Sequence, residues 1–199
     1  LFWQDFLFSG ATEFNRDIGG WNVGNVTSMS FLFSSATKFN QDIGGWEVGN
    51  VIDMSGMFYG ATQFNQDIGE WNVGKVTNMG WMFCGATWFN QDIGRWDVVN
   101  VKSMHDMFAA ATQFNQYIGE WDVGNVISMS HMFESAAEFS QDIGGWDVGN
   151  VTDMVRFSFQ LGGARKHCLC QNLSFFARVV CLLVLPSSIK TLGNGMLVM

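Results

Sequence analysis

Residues 39–63 read FNQDIGGWEVGNVIDMSGMFYGATQ, and residues 64–88 read FNQDIGEWNVGKVTNMGWMFCGATW. The two 25-residue stretches align without a gap, and the same unit continues on both sides of them. Five full copies run from Phe14 to Glu138, with partial copies before and after. A constant period is typical of a stack of near-identical coils in which each coil contacts its neighbours. The sequence therefore predicts one repeat domain over residues 1–155.

Each unit contains a segment with helical spacing. The apolar residues that follow Asn50 recur at intervals of three, three, one and three: Val51, Met54, Met57, Phe58 and Ala61. This spacing indicates one face of a short helix or 3₁₀ segment. Asn50 is expected to be its N-cap, and Gly60 to lie at its C-terminal end.

The rest of the unit alternates like a strand. Residues 64–68 place Phe64 and Ile68 on one face, Gly69 follows as a turn, and Trp71 and Val73 alternate again. We therefore predict an α/β repeat solenoid, a right-handed stack of the leucine-rich-repeat type. Each coil of about 25 residues would contain one or two short parallel strands and a short helix or 3₁₀ segment.

Composition excludes several function classes. The chain has 199 residues, of which 48% are hydrophobic and 14% charged, so it is too apolar to be disordered. Residues 1–159 carry 18 acidic and six basic residues, a net charge of −12. An acidic body disfavours nucleic acids and anionic membranes as partners.

The units resemble those of the BspA-like leucine-rich-repeat surface proteins. Residues 89–108, FNQDIGRWDVVNVKSMHDMF, show the motif F-N-x-D-I-x-x-W-D-V-x-x-V-x-x-M-x-x-M-F of one subgroup of that family. The resemblance covers roughly residues 1–155. It implies an extracellular or surface-anchored repeat protein and no catalytic residues.

Carboxylates repeat along the array and raise the question of a metal. Stacked side chains could bind Ca²⁺ between coils, since calcium prefers several oxygen ligands. The alternative, which we favour, is structural: the Asn15 column satisfies backbone groups, and each aspartate caps the glycine turn that follows it. The aspartates concerned are Asp17, Asp42, Asp67, Asp92 and Asp142. Tyr117 interrupts their column. No other cofactor is expected.

Tryptophans also repeat at a fixed position, where each coil needs a large apolar side chain. They are expected to be core residues more than a carbohydrate platform. They are Trp21, Trp46, Trp71, Trp96, Trp121 and Trp146.

Side chains that depart from the repeat are better candidates for ligand binding, because variable positions on a constant scaffold carry specificity. Trp81 and Trp88 stand where other copies have Gly56 or Gln63. The predicted binding patch comprises Phe31, Trp81, Trp88, His105 and His131. Unselected surface variation is the alternative explanation.

Residues 156–199 form a divergent tail with three of the four cysteines. We interpret it as a frame change or intron read-through, or else as a folded cap of unfamiliar sequence. His167 to Cys170 lacks the second half of a zinc site, and the apolar run 175–185 is too short to span a bilayer. The chain also begins at Leu1 within a repeat, so no signal peptide can be read, and we expect it to be a fragment.

No catalytic motif is found, so we expect a non-enzymatic scaffold at the cell surface, with a protein or glycan ligand and no small-molecule substrate. A truncated remnant of a repeat array, without a present binding role, is the alternative.

Overall fold

The computed structural model describes residues 5–155, 157–161 and 164–168. Within these residues it contains two strands and no helix. Strand β1 spans Phe157–Leu161 and β2 spans Ala164–Cys168, and they pair antiparallel with Phe157 opposite Cys168. Both strands follow the repeats, so the repeats themselves are built from turns and extended segments.

Successive coils are joined by single parallel bridges. Each bridge pairs a residue with the one 25 positions later, so the 25-residue repeat predicted from the sequence is confirmed. The bridged residues are Ser28, Asp53, Asn78, Ser103, Ser128 and Asp153. One bridged residue per coil is too little to form a strand, and residues 64–68 and 71–73, which were predicted to be extended strands, are not assigned to one.

The predicted helix or 3₁₀ segment of each unit is wrong for the described coils, because every second N–H bonds outside the coil. Along residues 53–61 the backbone N–H groups alternate in direction. The N–H of Met57 donates within the coil to the carbonyl of Met54 (3.2 Å), whereas the N–H of Phe58 donates to Met82 of the next coil (2.9 Å). An α-helix needs every N–H to bond four residues back. The helical spacing arises instead from a series of turns.

Asn50 likewise is no helix cap. Its side-chain Nδ2 donates to the carbonyl of Gly24 in the preceding coil (2.8 Å). A different column, the one that begins at Asn15, does satisfy backbone groups. The N–H of Asn65 donates to Asn40 Oδ1 (2.9 Å), and Gln66 Nε2 donates to the same oxygen (3.0 Å). Polar side chains in these columns therefore join coils.

Phenylalanines form the centre of the core. Phe58 is fully buried and stacks on Phe64 of its own turn with ring centroids 3.9 Å apart. It also stacks on Phe33 and Phe83 of the neighbouring coils, at 5.8 and 5.6 Å. The stacked coils therefore enclose columns of aromatic rings, and each coil buries its rings by contact with the coils beside it.

Five of the six repeated tryptophans are buried. Each indole Nε1 donates to an isoleucine carbonyl 28 residues earlier, as Trp71 does to Ile43 (3.1 Å). Trp21 is the exception, since 38% of it is exposed. The prediction of a core position is wrong for Trp21, which lies in the first full coil.

The last described coil ends on an edge-on aromatic contact. Phe157 takes the place that Met132 has one unit earlier, and its ring is perpendicular to that of Phe133, at 5.6 Å. It is buried, and β1 continues directly from it. Within the described residues, no helix is long and apolar enough to cross a membrane. Residues 169–170 and the run 175–185 lie outside the described residues, and so do the side chains of His167 and Cys168.

Candidate functional site

Two columns of the stack have a left-handed backbone. Half of the first column is glycine, and it comprises Gly10, Ser35, Gly60, Gly85, Ala110 and Ser135. The six residues of the second column all have φ between +52° and +69°: Phe6, Phe31, Gly56, Trp81, Asp106 and His131. A residue with a Cβ costs roughly 1–2 kcal/mol in this conformation, and glycine is the residue that adopts it freely. Only one of the six in the second column is glycine. We call this second column the left-handed column.

Aromatic side chains of this column make continuous contact. Phe6 and Phe31 stack at 5.1 Å with rings 2° from parallel. Phe31 contacts Trp81 at 6.4 Å, and Trp81 contacts His105 edge-on at 3.9 Å. We call Phe6, Phe31, Trp81 and His105 the aromatic strip. The structure thus brings together three of the five residues predicted for the binding patch.

Two glycines make room for the strip. A Cβ at Gly56 would overlap the ring of Phe31, and a Cβ at Gly80 would overlap the ring of His105. The Phe31 ring therefore occupies the space above Gly56 and reaches Trp81, which is two coils away. Without a glycine at position 56, the strip would be interrupted.

His105 is held by a hydrogen bond and by burial. Its Nδ1 lies 2.6 Å from Ser103 Oγ. Burial is the main cause that lowers the pKa of His105, and the neighbouring His131 acts in the same direction, against Asp106 and Asp153. The imidazole of the strip is therefore neutral at neutral pH, and contributes as an aromatic ring.

Potential metal ligands lie beside the strip. Asp106, His131 and Glu134 are half-buried, and one ligand atom from each lies within 4.8 Å of the others. His131 Nδ1 and Asp106 Oδ1 are 3.7 Å apart. Burial raises the pKa of Asp106, with Glu134 adding to the rise and the two histidines opposing it. We call these three residues the ligand cluster.

Sequence reasoning found His131 but missed Asp106 and Glu134. A signal was present, since Asp106 belongs to the same column as Phe31 and Trp81. Glu134 comes three residues after His131 and stands where other units have Tyr59 or Cys84.

Trp88 does not join the aromatic strip. It belongs to another column, beside Gln63 and Gln113, and 53% of it is exposed. Its backbone N–H donates to Thr62 (3.2 Å). No ring contact connects it to the strip in the part of the chain that the structure describes. The predicted patch therefore divides into two parts. His131 and the three strip residues Phe31, Trp81 and His105 form one part, and Trp88 forms the other.

The aspartates proposed as a calcium ladder cap turns. Each is exposed, and its Oδ1 accepts the N–H of the glycine two residues later at 2.9 Å. The residues are Asp17, Asp42, Asp67, Asp92 and Asp142. Among the described residues, the only group of three or more side chains placed to hold a metal is the ligand cluster. Calcium binding by the ladder stays a prediction.

A protein-family comparison covers both the strip and the cluster. The model of a family described as "Mycoplasma protein of unknown function, DUF285" matches residues 4–87 and again residues 66–166. The chain belongs to this DUF285 family. Comparison with curated proteins and with solved structures gives no significant match. The aromatic strip and the ligand cluster of this DUF285 protein both lie inside the matched residues.

Proposed function

We propose that this DUF285 protein is a non-enzymatic interaction scaffold at the cell surface or outside the cell, and that it binds a protein ligand through the aromatic strip. The resemblance to BspA-like leucine-rich-repeat proteins supports the surface location. The observation that carries the proposal is the placement of Phe6, Phe31 and Trp81 at left-handed positions. Bulky residues there cost stability, and such cost is typical of functional positions.

Exposure supports the role of a binding surface. Phe6 is 55% exposed and Trp81 is 38% exposed, although most other aromatic rings of the repeats are buried. Aromatic side chains contribute a large share of the energy at protein interfaces. The net charge of −12 over residues 1–159 favours a partner whose own surface is not acidic.

Ring orientation favours a protein over a glycan. A sugar stacks on an open aromatic face, whereas Phe6 and Phe31 turn a face toward each other and Trp81 and His105 pack edge to face. Rings packed on one another in this way suit the apolar side chains of a peptide. We therefore propose a protein ligand, with a glycan as the alternative outcome.

Glycine variants test the strip without disturbing the backbone, because Gly56 shows that the column accepts glycine. Peptides selected from a random display library on the wild-type protein should lose about 30-fold or more in affinity on Trp81→Gly, the loss expected for an interface hot spot of about 2 kcal/mol. Phe31→Gly should act in the same direction. Trp88→Gln, which restores the residue of Gln63 and Gln113, is the matched control.

Peptides that bind Trp81→Gly as well as wild type would show that the strip is not the site. Binding to a glycan array that disappears in Trp81→Gly would replace the protein ligand by a glycan. A protein that selects neither would fit the remnant of a repeat array. Circular dichroism of each variant would verify that the coils are intact.

A further inference from the structure

We propose that Asp106, His131 and Glu134 bind one divalent transition-metal ion, for which Zn²⁺ is the best candidate. The inference goes beyond the proposed function and does not depend on it. It rests on the positions of three side chains that belong to two adjacent coils.

Distances in the ligand cluster are longer than hydrogen bonds and leave room for a metal ion between the side chains. The gap of 3.7 Å between His131 Nδ1 and Asp106 Oδ1 exceeds the usual hydrogen-bond length of about 3.2 Å. Zinc lies about 2.0–2.2 Å from nitrogen and carboxylate ligands, so two tetrahedral ligands are about 3.4 Å apart. The two atoms need to approach by only a few tenths of an ångström. Glu134 brings a carboxylate oxygen within 4.8 Å of both.

Ligand chemistry selects the class of metal. One imidazole nitrogen with two carboxylates suits zinc and neighbouring first-row ions, while calcium and magnesium prefer oxygen ligands alone. Three protein ligands leave a coordination position open, as in zinc sites that also hold a water or an external ligand.

Electrostatics favours a cation at this place. Asp106 and Glu134 are both half-buried, and the carboxylate of Glu134 disfavours the charged form of Asp106. A divalent ion between them would relieve that repulsion. It would also offset the cost of holding Asp106 and His131 at φ values of +54° and +56°.

The set of ligands occurs once among the described coils. One coil earlier, the equivalent of Asp106, His131 and Glu134 is Trp81, Asp106 and Ala109. Two coils earlier it is Gly56, Trp81 and Cys84. The cluster is therefore not a product of the repeat, and the expected stoichiometry is one ion per chain.

Titration of the 199-residue chain with Zn²⁺ tests the site. Free thiols also bind zinc, so the reference protein should carry Cys84→Ala, which introduces the residue of Ala109, together with Cys168→Ser, Cys170→Ser and Cys181→Ser. Isothermal titration calorimetry should give one zinc per chain. His131→Gly and Glu134→Ala should each weaken binding at least roughly tenfold, since each removes a ligand. Gly56 and Ala109 are the natural residues at the equivalent positions of other coils.

Glu138→Gln is the matched control, because it removes a carboxylate four residues along the chain from Glu134 and introduces the residue of Gln113. It should leave zinc affinity unchanged. Co²⁺ in place of zinc should give visible ligand-field bands that both ligand variants abolish, and no thiolate charge-transfer band.

If His131→Gly fails to fold, Glu134→Ala alone decides. The proposal is overturned if the reference protein binds no stoichiometric zinc, or if Glu134→Ala binds it as tightly. Trp81→Gly should keep the zinc site, which separates this test from that of the aromatic strip.

Discussion

Side chains on the left-handed column are where this protein departs from its own repeat. Phe31, Trp81 and His131 could be singled out in the sequence because they interrupt a regular pattern. Their backbone conformation could not, because glycine, the usual sign of a positive φ, stands at only one of the six positions. Asp106 and Glu134 are 28 residues apart, and only the stacking of coils makes them neighbours.

Cys84 gives a test at the residue scale. Burial, with a smaller contribution from Asp106, raises the pKa of its thiol to about 11. The reactive thiolate should therefore be scarce at neutral pH. We expect iodoacetamide to alkylate Cys84 much more slowly than free cysteine between pH 7 and 9, with the rate rising toward pH 11. Peptide-level mass spectrometry would measure it, with free cysteine as the reference. A rate that levels off near pH 9 would contradict the buried thiol.

At the scale of the coil, the apolar pattern predicted the core but not the secondary structure. The residues expected on one face of a helix are all buried: Val51, Met54, Met57, Phe58 and Ala61. A series of turns produces the same inward spacing, because left-handed residues four positions apart, such as Gly56 and Gly60, interrupt any helix. Successive N–H groups then donate alternately within the coil and to the next coil. Side-chain periodicity does not distinguish these two cases.

The glycine that follows Ile68, and its equivalents in the other units, give a test at this scale. A Cβ on Gly69 would lie 2.5 Å from the carbonyl oxygen of Asp92 in the next coil. Gly69→Ala should therefore push the coils apart and cost about 1–3 kcal/mol, as overpacking does. Gly144→Ala is the control, since its nearest contact is the side-chain Oδ1 of Asp142 at 3.1 Å. Chemical denaturation would measure both free energies of unfolding. Equal losses would show that close approach of the coils is not the reason for the glycine.

At the scale of the whole molecule, the period predicted a stack of coils, although the helices and strands predicted for each coil are absent from the described repeats. Each coil buries its rings against the coils before and after it, so stability is a sum over coils and their interfaces. The sequence could not predict how the array ends, since Phe157 takes a methionine position and β1 and β2 have no counterpart in the repeats.

Deletions test this dependence on the period. Removal of residues 64–88 joins Gln63 to Phe89 and keeps every column in register, although it shortens the stack by one coil. Removal of residues 64–75 deletes fewer residues but leaves an incomplete coil without Phe64, Ile68 and Trp71. We expect the longer deletion to keep cooperative thermal unfolding and the shorter one to lose it. Circular dichroism during heating would compare them. If the shorter deletion were the more stable, the columns would not determine the fold.

Hydrogen bonds between coils run in two opposite directions. The N–H of Met54 points toward Asn78 in the following coil, while the N–H of Ile52 points toward Thr27 in the preceding one. The peptide dipoles of the two segments therefore oppose each other, whereas those of an α-helix add along its axis. Lengthening the array by further units would add core and surface without building up a large dipole. The ends of a longer array would therefore carry little charge from the peptide dipoles. Its interactions would then depend on the side chains exposed along its sides.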